Sequence, residues 1–257
     1  MPVDLLGTHE HEPAKPILAI TFDDGYCSVH THAFPALRER GFPATVYLVS
    51  DVLDNQTLVW VNEINWLLAS HEEATRKALT ESFELPDSTD RVGTLDFLRA
   101  NFDPQGIQKA LETLRDQIGY VPADVARENR IYLDREQLQE MAAGGITFAN
   151  HTRTHPSLPR LSPIDRQREI AGATSDLAQV STSTSFAYPF GDMDEATREE
   201  VLKLDFDRIM EVGGYNQPYR PDRTARVPMT GRNDAEVFAE LEVVPPIKAW
   251  LKARVGI

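Results

Sequence analysis

The sequence predicts an α/β protein that is built on a parallel β-sheet. The first observation is a strand–helix–strand order within residues 17–49, which is the unit that joins parallel strands. The second is that strands and helices alternate again after about residue 130. The third is length, because 257 residues suffice for one α/β domain with an ample core.

The first predicted strand covers residues 17–20, which are apolar and partly β-branched, as in buried parallel strands. A helix is predicted from Thr31 to Arg40, and Gly41 ends it. Residues 44–49 are again apolar and form the second buried strand. Together these segments make one βαβ unit.

The alternation lapses between residues 51 and 130, where only helical periodicity is found. Apolar residues at helical spacing predict four helices, at residues 59–68, 72–83, 90–101 and 105–118. We interpret this segment as a helical insertion within a single domain that spans residues 16–257. Two roles stay open for it: it limits access to the mouth of the site, or it builds a contact between copies in a homo-oligomer.

Strands and helices alternate again in the second half of the chain. Asp134 is predicted to cap a helix that runs through Met141 and ends at two glycines. Further helices are predicted at residues 163–180 and 195–204, with strands at 146–149, 185–188, 208–212 and 226–228. Two closing helices are predicted at residues 235–241 and 246–254.

Composition and charge disfavour several classes of protein. The formal net charge of -14 makes nucleic acid or an anionic membrane surface an unfavourable partner. With Cys27 as the single cysteine, no internal disulfide can form. No apolar run is long enough to span a bilayer. Residues 1–15 lack the basic and apolar regions of a secretory signal, so we expect a flexible arm and a cytoplasmic location.

Two adjacent carboxylates, Asp23 and Asp24, follow the first predicted strand and precede Gly25. At the carboxyl end of a parallel strand they lie where the active sites of α/β proteins are built. Neighbouring side chains on an extended chain point in opposite directions, so one carboxylate can hold a metal while the other exchanges protons. An ordinary turn is the alternative interpretation.

A second polar cluster follows the strand predicted at residues 146–149. His151 and His155 are four residues apart, and a single turn between them aims both imidazoles the same way. With Asp24 they would supply two nitrogens and one oxygen and leave an open coordination position, as catalytic metal sites do. Two surface histidines are the alternative. A third motif, Tyr188-Pro189-Phe190-Gly191, also follows a predicted strand, and the three together favour a site.

These motifs resemble those of the NodB-homology polysaccharide deacetylases, carbohydrate esterase family 4. Thr21-Phe22-Asp23-Asp24-Gly25 matches the first motif of that family, and His151-Thr152-Arg153-Thr154-His155-Pro156 matches the second. Phe186-Ala187-Tyr188-Pro189-Phe190-Gly191 is similar to the third. The resemblance covers residues 16–50 and about 131–230, so the insertion lies outside it.

The resemblance implies a distorted, incomplete (β/α) barrel of the NodB-homology type with a helical insertion. It implies a metal-dependent hydrolase that removes an N-acetyl group from an acetamido sugar. Asp24, His151 and His155 are implied as ligands of a divalent metal, with zinc the expected ion. Asp23 is implied as the general base toward a metal-bound water, and the backbone N–H of Phe190 as a donor to the oxyanion.

Two positions depart from the pattern of the family. Ala187 replaces the arginine that usually begins the third motif, and no histidine follows His155 to act as the acid. We therefore expect Asp23 to serve both proton steps. Arg226 is a candidate to replace the arginine and orient Asp23, with a structural ion pair as the alternative. Glu211 is weighed as a substitute acid, although a carboxylate that supports a neighbouring group or is solvated is the preferred interpretation.

Two other functions stay open. A non-sugar amide or cyclic-imide hydrolase shares the fold, but some of those relatives lose metal ligands, whereas all three are present here. A non-catalytic carbohydrate-binding relative would keep the metal site, and the absent histidine acid is compatible with it. Metal analysis paired with acetate release from N-acetylated sugars separates the three possibilities.

Overall fold

Six parallel strands form one sheet in the computed structural model, which describes residues 3–5, 18–86, 89–213 and 220–229. The strands are β1 (Ile20–Phe22), β2 (Ala44–Leu48), β3 (Ile146–Asn150), β4 (Ser185–Ala187), β5 (Arg208–Val212) and β6 (Thr224–Arg226). Their order in the sheet is the same as their order in the chain. A doubly wound sheet reverses its strand order, whereas this sheet does not, so the chain winds in one sense as in a (β/α) barrel.

The sheet curls into an incomplete barrel whose two edges meet through side chains. Arg226, at the end of β6, pairs with Asp23, which directly follows β1. No backbone ladder joins β6 to β1 within the described residues. The predicted distorted, incomplete barrel of the NodB-homology type is therefore confirmed.

The described residues contain nine α-helices: α1 (Phe34–Arg40), α2 (Trp60–Ser70), α3 (Glu72–Phe83), α4 (Arg91–Asn101), α5 (Pro104–Ile118), α6 (Pro122–Asn129), α7 (Arg135–Ala143), α8 (Pro163–Asp176) and α9 (Glu195–Val201). Helices α2 to α6 lie between β2 and β3, and α7 leads into β3. Aspartates begin several helices, because a carboxylate at the N-cap accepts a hydrogen bond from an otherwise unpaired backbone N–H. These caps are Asp90, Asp103, Asp134 and Asp194.

Four clusters of buried hydrophobic side chains stabilise the described part of the chain, and two of them are large. The segment between β2 and β3 has its own core of buried aliphatic side chains, which includes Ile64, Leu67, Leu79, Leu98 and Leu114. The outer face of the barrel buries a second set against α1 and α7, which includes Phe34, Val46, Met141 and Phe148. Successive side chains of a strand point to opposite faces, so Tyr47 and Ala149 pack in a separate cluster in the barrel interior.

Most predicted elements are present with shifted ends. β1 begins at Ile20 rather than at residue 17, so the pair of aspartates follows it directly. The helix predicted to end at residue 180 ends at Asp176. Helix α6 has no counterpart among the predicted helices, since only Val125 and Ala126 of its eight residues are buried and the periodic signal is short.

Several predictions fall outside the described residues. These are the closing helices at residues 235–241 and 246–254 and most of the arm at residues 1–15. Val3–Leu5 form a 3-10 turn, and Val3 is buried in the barrel-interior cluster with Tyr47. The division into an arm and one domain with an insertion stays a prediction. Among the described helices, none is both long and apolar enough to cross a membrane.

Candidate active site

The candidate active site lies at the carboxyl ends of β1, β3 and β4, where the backbone is strained. Four residues in these loops take the left-handed conformation: Asp24 (φ 68°), Thr152 (φ 68°), His155 (φ 60°) and Phe190 (φ 59°). This conformation is uncommon for residues other than glycine and costs about 1–3 kcal/mol each. Its concentration in three neighbouring loops means that surrounding contacts must hold the loops in place.

Three side chains converge at the mouth of the barrel: Asp24, His151 and His155. Oδ1 of Asp24 lies 3.2 Å from Nε2 of His155 and 3.5 Å from Nε2 of His151. One ligand atom from each residue lies within 4.8 Å of the others. Both histidines are buried, with 2% of His151 and 4% of His155 exposed.

Hydrogen bonding and burial hold the imidazoles in the form that binds a metal. Nδ1 of His151 lies 2.8 Å from the carbonyl oxygen of Ala187. Because a carbonyl can only accept, Nδ1 carries the proton, and Nε2 presents its lone pair to Asp24. Burial lowers the pKa of both histidines, that of His155 to about 4. The neutral imidazole is the form that ligates metals.

The donor set fits a divalent cation. Within the described residues the buried Oδ1 of Asp24 has no hydrogen-bond partner, although it faces two imidazole nitrogens. Burial also raises the pKa of the Asp24 carboxyl, while His151 opposes that rise. A cation among these atoms would remove the unpaired charge. Ligands about 2.0–2.1 Å from a zinc ion at tetrahedral angles lie about 3.3 Å apart, close to the two distances observed.

The second carboxylate, Asp23, is held by Arg226. The guanidinium donates two hydrogen bonds, from Nη1 to Oδ1 at 2.5 Å and from Nη2 to Oδ2 at 2.8 Å. The Cζ atom of Arg226 lies 5.1 Å from the centroid of the Tyr47 ring. Burial tends to raise the pKa of Asp23, but His151 and Arg226 together outweigh it, so the pKa lies below its ordinary value. Asp23 is therefore ionised at neutral pH, and β6 rather than β4 supplies the arginine beside it.

The loop that carries both histidines is held by α8. The backbone N–H groups of Arg153 and Thr154 donate to Oε2 of Glu169 at 3.1 and 2.9 Å, and the Thr154 hydroxyl donates to Oε1 at 2.9 Å. The Arg153 side chain forms ion pairs with Asp51 and Asp176, each at 3.1 Å. These contacts stabilise the strained backbone between His151 and His155.

The segment between β2 and β3 also reaches the mouth. Trp60, the first residue of α2, donates its Nε1–H to the carbonyl of His155 at 3.1 Å. The centroid of the Phe190 ring lies 4.4 Å from that of His155 and 5.9 Å from that of Trp60. Arg99 of α4 places its Cζ atom 5.2 Å from the centroid of the same Phe190 ring. Two insertion helices therefore border the site, and a contact between copies stays a prediction.

The structure brings together the residues predicted for the site: Asp23, Asp24, His151, His155, Phe190 and Arg226. The substitute acid that was weighed, Glu211, lies apart from them. It is buried and pairs with Arg223 at 2.8 Å and with Arg198 at 3.7 Å. Its carboxylate therefore belongs to an ion-pair network between β5, α9 and the chain before β6.

Three residues at the site were missed from the sequence: Trp60, Arg99 and Glu169. Arg99 and Glu169 occupy ordinary polar positions of predicted helices. Trp60 is one of the apolar residues of the helix predicted at residues 59–68, and it is buried. The contacts of all three depend on how the helices pack, and helical periodicity carries no signal for that.

Comparison with known proteins gives a consistent result. A sequence profile described as Polysaccharide deacetylase matches residues 10–209. YxkH of Bacillus subtilis, named as a candidate polysaccharide deacetylase, is 21% identical over 204 residues, which are 79% of this chain and 47% of YxkH. The chain thus spans about half the length of this curated relative.

Two solved structures share the fold. IcaB from Ammonifex degensii has a TM-score of 0.52 and 18% identity, covering 91% of this chain and 76% of that one. BC0361, a polysaccharide deacetylase from Bacillus cereus, has a TM-score of 0.50 and 17% identity, covering 87% of this chain and 51% of that one. Because the family profile covers most of the sequence, the chain belongs to the polysaccharide deacetylase family.

Proposed function

We propose that this member of the polysaccharide deacetylase family is a metal-dependent hydrolase that removes the N-acetyl group from an acetamido sugar. The sugar is part of a polysaccharide, an oligosaccharide or a sugar precursor. One observation carries the proposal: the buried cluster of Asp24, His151 and His155 lies beside an ionised Asp23 that Arg226 holds. Membership of the family supports the reaction class, which is hydrolysis of a linear amide C–N bond.

Asp24, His151 and His155 would hold a divalent ion. Zinc is the expected ion, because two imidazole nitrogens and one carboxylate oxygen suit it and leave a position open. An ion bound there lowers the pKa of a coordinated water and polarises the carbonyl of the substrate. The hydrogen bond from His151 to the Ala187 carbonyl orients one ligand, and the contacts of Trp60 hold the backbone of the other.

Asp23 is proposed as the general base. Its Oδ2 lies 4.0 Å from Nε2 of His151, so the carboxylate borders the cluster without being its nearest oxygen. Arg226 fixes the plane of the carboxylate with two hydrogen bonds, so an attacking water meets the base in a constant position.

The same residue is proposed to return the proton to the departing amine. No histidine follows His155 in the sequence, and Glu211 is engaged elsewhere. A carboxylic acid whose pKa is held low by Arg226 gives up its proton readily, which suits this second step. The backbone N–H of Phe190 is proposed as a donor to the developing oxyanion, because Phe190 stands in a left-handed turn against His155.

Metal content and acetate release, measured on one preparation, test the proposal. We expect about one zinc per chain, loss of activity on chelation, recovery on zinc addition, and acetate release from N-acetylchitooligosaccharides. His155→Ala should lose both metal and activity, whereas His32→Ala, at an exposed histidine near α1, should lose neither. Full metal occupancy in His155→Ala would contradict the ligand assignment. Metal binding with no acetate release from any acetylated sugar would favour the cyclic-imide hydrolase or the binding relative.

The expected homo-oligomer and the expected cytoplasmic location are also proposals. Val92 and Val121, in the insertion, are 67% and 54% exposed and offer apolar surface for a contact between copies. Light scattering of the wild type and of Val92→Glu tests the first proposal. A monomer in both would overturn it.

A further inference from the structure

A groove runs between the insertion and the loops that follow β3 and β4. It has a volume of about 270 Å³, and its charged lining residues are Arg99 from α4, Arg160 from the loop after β3, and Asp192 after the Phe190 turn. A smaller pocket continues from it toward Trp60, and Arg99 and Ser157 line both. The groove is therefore one continuous surface built by the insertion and the barrel together.

The groove and its smaller pocket reach the loop that carries His155. The smaller pocket is lined by Thr154 and Pro156, which flank the proposed ligand His155. A single aromatic ring, that of Phe190, separates Arg99 from the His155 imidazole. A group carried by the same sugar, or by the next sugar of a chain, can thus lie in the groove while the acetamido group lies at the cluster.

The charges in the groove are not all paired. Arg99 approaches Asp96 at 3.4 Å and Asp192 at 3.8 Å, and within the described residues its guanidinium donates no hydrogen bond. Within the same described residues, the Arg160 guanidinium forms neither an ion pair nor a hydrogen bond. Asp192 accepts a hydrogen bond from the Ser157 hydroxyl. Two guanidinium groups and two carboxylates thus lie here, but Arg160 pairs with neither Asp96 nor Asp192, so its positive charge has no partner among the described residues.

Simple packing of Arg99 on Phe190 does not account for this arrangement. A guanidinium that serves only to pack keeps its donors in bulk water or in close ion pairs. Here the Arg99 side chain is 31% exposed, and its two nearest carboxylates lie beyond the usual length of a charge-assisted hydrogen bond. Its donors, like those of Arg160, are available to a ligand in the groove.

We propose that the groove is a subsite for a negatively charged group of the sugar substrate, a phosphate or a carboxylate, bound by the guanidinium groups of Arg99 and Arg160. Planar guanidinium donors match the oxygens of both kinds of anion. This inference rests on the proposed function, because it names the substrate class of the same site: an acetamido sugar that carries an anionic group.

The first experiment compares substrates on the zinc-loaded full chain. Acetate release is measured from neutral N,N′-diacetylchitobiose, from N-acetylglucosamine 6-phosphate, and from a disaccharide of glucuronate and N-acetylglucosamine. The readout is the ratio of kcat/KM for each charged substrate to that for the neutral one. We expect Arg160→Met and Arg99→Met each to lower this ratio by about tenfold or more in the phosphate arm, the carboxylate arm or both.

Arg127→Met is the matched control. Like Arg99, Arg127 lies on an insertion helix three residues after an aspartate with which it pairs, here Asp124 at 3.1 Å, but it lies outside the groove. The ratio in this variant should equal that of the wild type. Equal ratios in the wild type, Arg99→Met and Arg160→Met, in both arms, would overturn the subsite even if the neutral substrate is deacetylated.

The second experiment measures binding without catalysis. Calorimetry with glucosamine 6-phosphate and with glucosamine, which lacks the phosphate, should show that the phosphate strengthens binding to the wild type. In Arg160→Met this gain in affinity should be about tenfold smaller. Circular dichroism confirms that each variant is folded. If no sugar is deacetylated, the proposed function fails and calorimetry alone decides the subsite. Equal binding of both ligands by the wild type would then overturn it.

Discussion

Two carboxylates with buried oxygens, Glu63 in the insertion and Asp24 at the barrel mouth, have opposite surroundings. Glu63 is fully buried and its oxygens are saturated, by Arg115 at 2.7 and 2.6 Å and by Tyr120 at 2.5 Å. Asp24 keeps an oxygen with no partner among the described residues and faces the nitrogens of His151 and His155. Burial of an acid is therefore not in itself a sign of function, whereas burial without satisfaction is.

The insertion and the mouth of the barrel differ in the same way as Glu63 and Asp24 do. Glu63 on α2 and Arg115 on α5 join two regular helices, so their ion pair completes the packing of the insertion. At the mouth, strained loops present donor atoms to one another, an arrangement that fits the divalent ion proposed for this site. The insertion is complete as folded, while the mouth is arranged for a ligand.

The largest expected effect comes from removing the proposed base, Asp23, at the mouth. Asp23→Asn keeps the fold and the metal ligands but cannot accept a proton, so we expect kcat to fall by about 10³-fold or more. Arg226→Ala should lower activity less than this and should affect activity more than metal affinity. Both are measured as acetate release at matched zinc occupancy. Near-native turnover by Asp23→Asn would contradict the mechanism. If Arg226→Ala has near-native turnover and Asp23→Asn does not, the arginine is structural and the base assignment survives.

The next largest effect is on stability and falls on the insertion. Glu63→Gln leaves Arg115 without its buried partner, and we expect a loss of about 3 kcal/mol in the free energy of unfolding. Urea denaturation followed by circular dichroism measures it. The control is Asp124→Asn, which breaks an exposed pair with Arg127 and should change stability by less than about 1 kcal/mol. Equal effects of the two substitutions would mean that Glu63 does not stabilise the insertion.

Glu169 tests how the mouth keeps its shape. Glu169→Gln replaces one carboxylate oxygen by a donor, so the N–H groups of Arg153 and Thr154 lose part of their partner. We expect zinc affinity to weaken by about 10–100-fold, with only a small change in Tm. Competition with a zinc-binding dye measures the affinity. Glu140→Gln, at an exposed residue of α7, is the control, and an unchanged Kd in Glu169→Gln would refute the positioning role.

The smallest expected effect concerns Asp24, and it tests most directly how Asp24 differs from Glu63. In the presence of a chelator, Asp24→Asn removes a charge whose buried oxygen has no partner. We therefore expect the free energy of unfolding either to fall by no more than about 1 kcal/mol or to rise. Added zinc should then stabilise the wild type but not the variant. A loss of several kcal/mol without metal would show that Asp24 is satisfied within the protein, as Glu63 is.

The sequence was most informative where function is encoded locally. Asp24, His151 and His155 follow strand ends within short motifs. A predicted parallel sheet was therefore enough to predict that their side chains converge. Arg226 was harder, because its contact with Asp23 spans 203 residues and depends on the curl of the whole sheet. It was suggested by the arginine that Ala187 replaces.

Other parts of the site could not be predicted for physical reasons. Glu169 and Arg99 act through the rotation and packing of α8 and α4, and periodicity indicates only which face of a helix is apolar. The saturation of Glu63 likewise depends on Arg115 from a helix 52 residues away in the chain. Polar contacts across elements are decided by packing, which the sequence pattern does not specify.

The seam between β1 and β6 has a consequence for how the protein can be observed. Along this seam, in the described residues, the barrel is closed by the Arg226–Asp23 ion pair and not by a backbone ladder, and β6 is paired only with β5. A local opening that frees β6 from β5 would therefore also separate Arg226 from Asp23, the proposed base. Hydrogen–deuterium exchange of the β6 amides measures how often this strand opens, and the fully buried β2 is the reference. The exchange rate of β6 therefore reports the fraction of molecules in which Arg226 is displaced from Asp23.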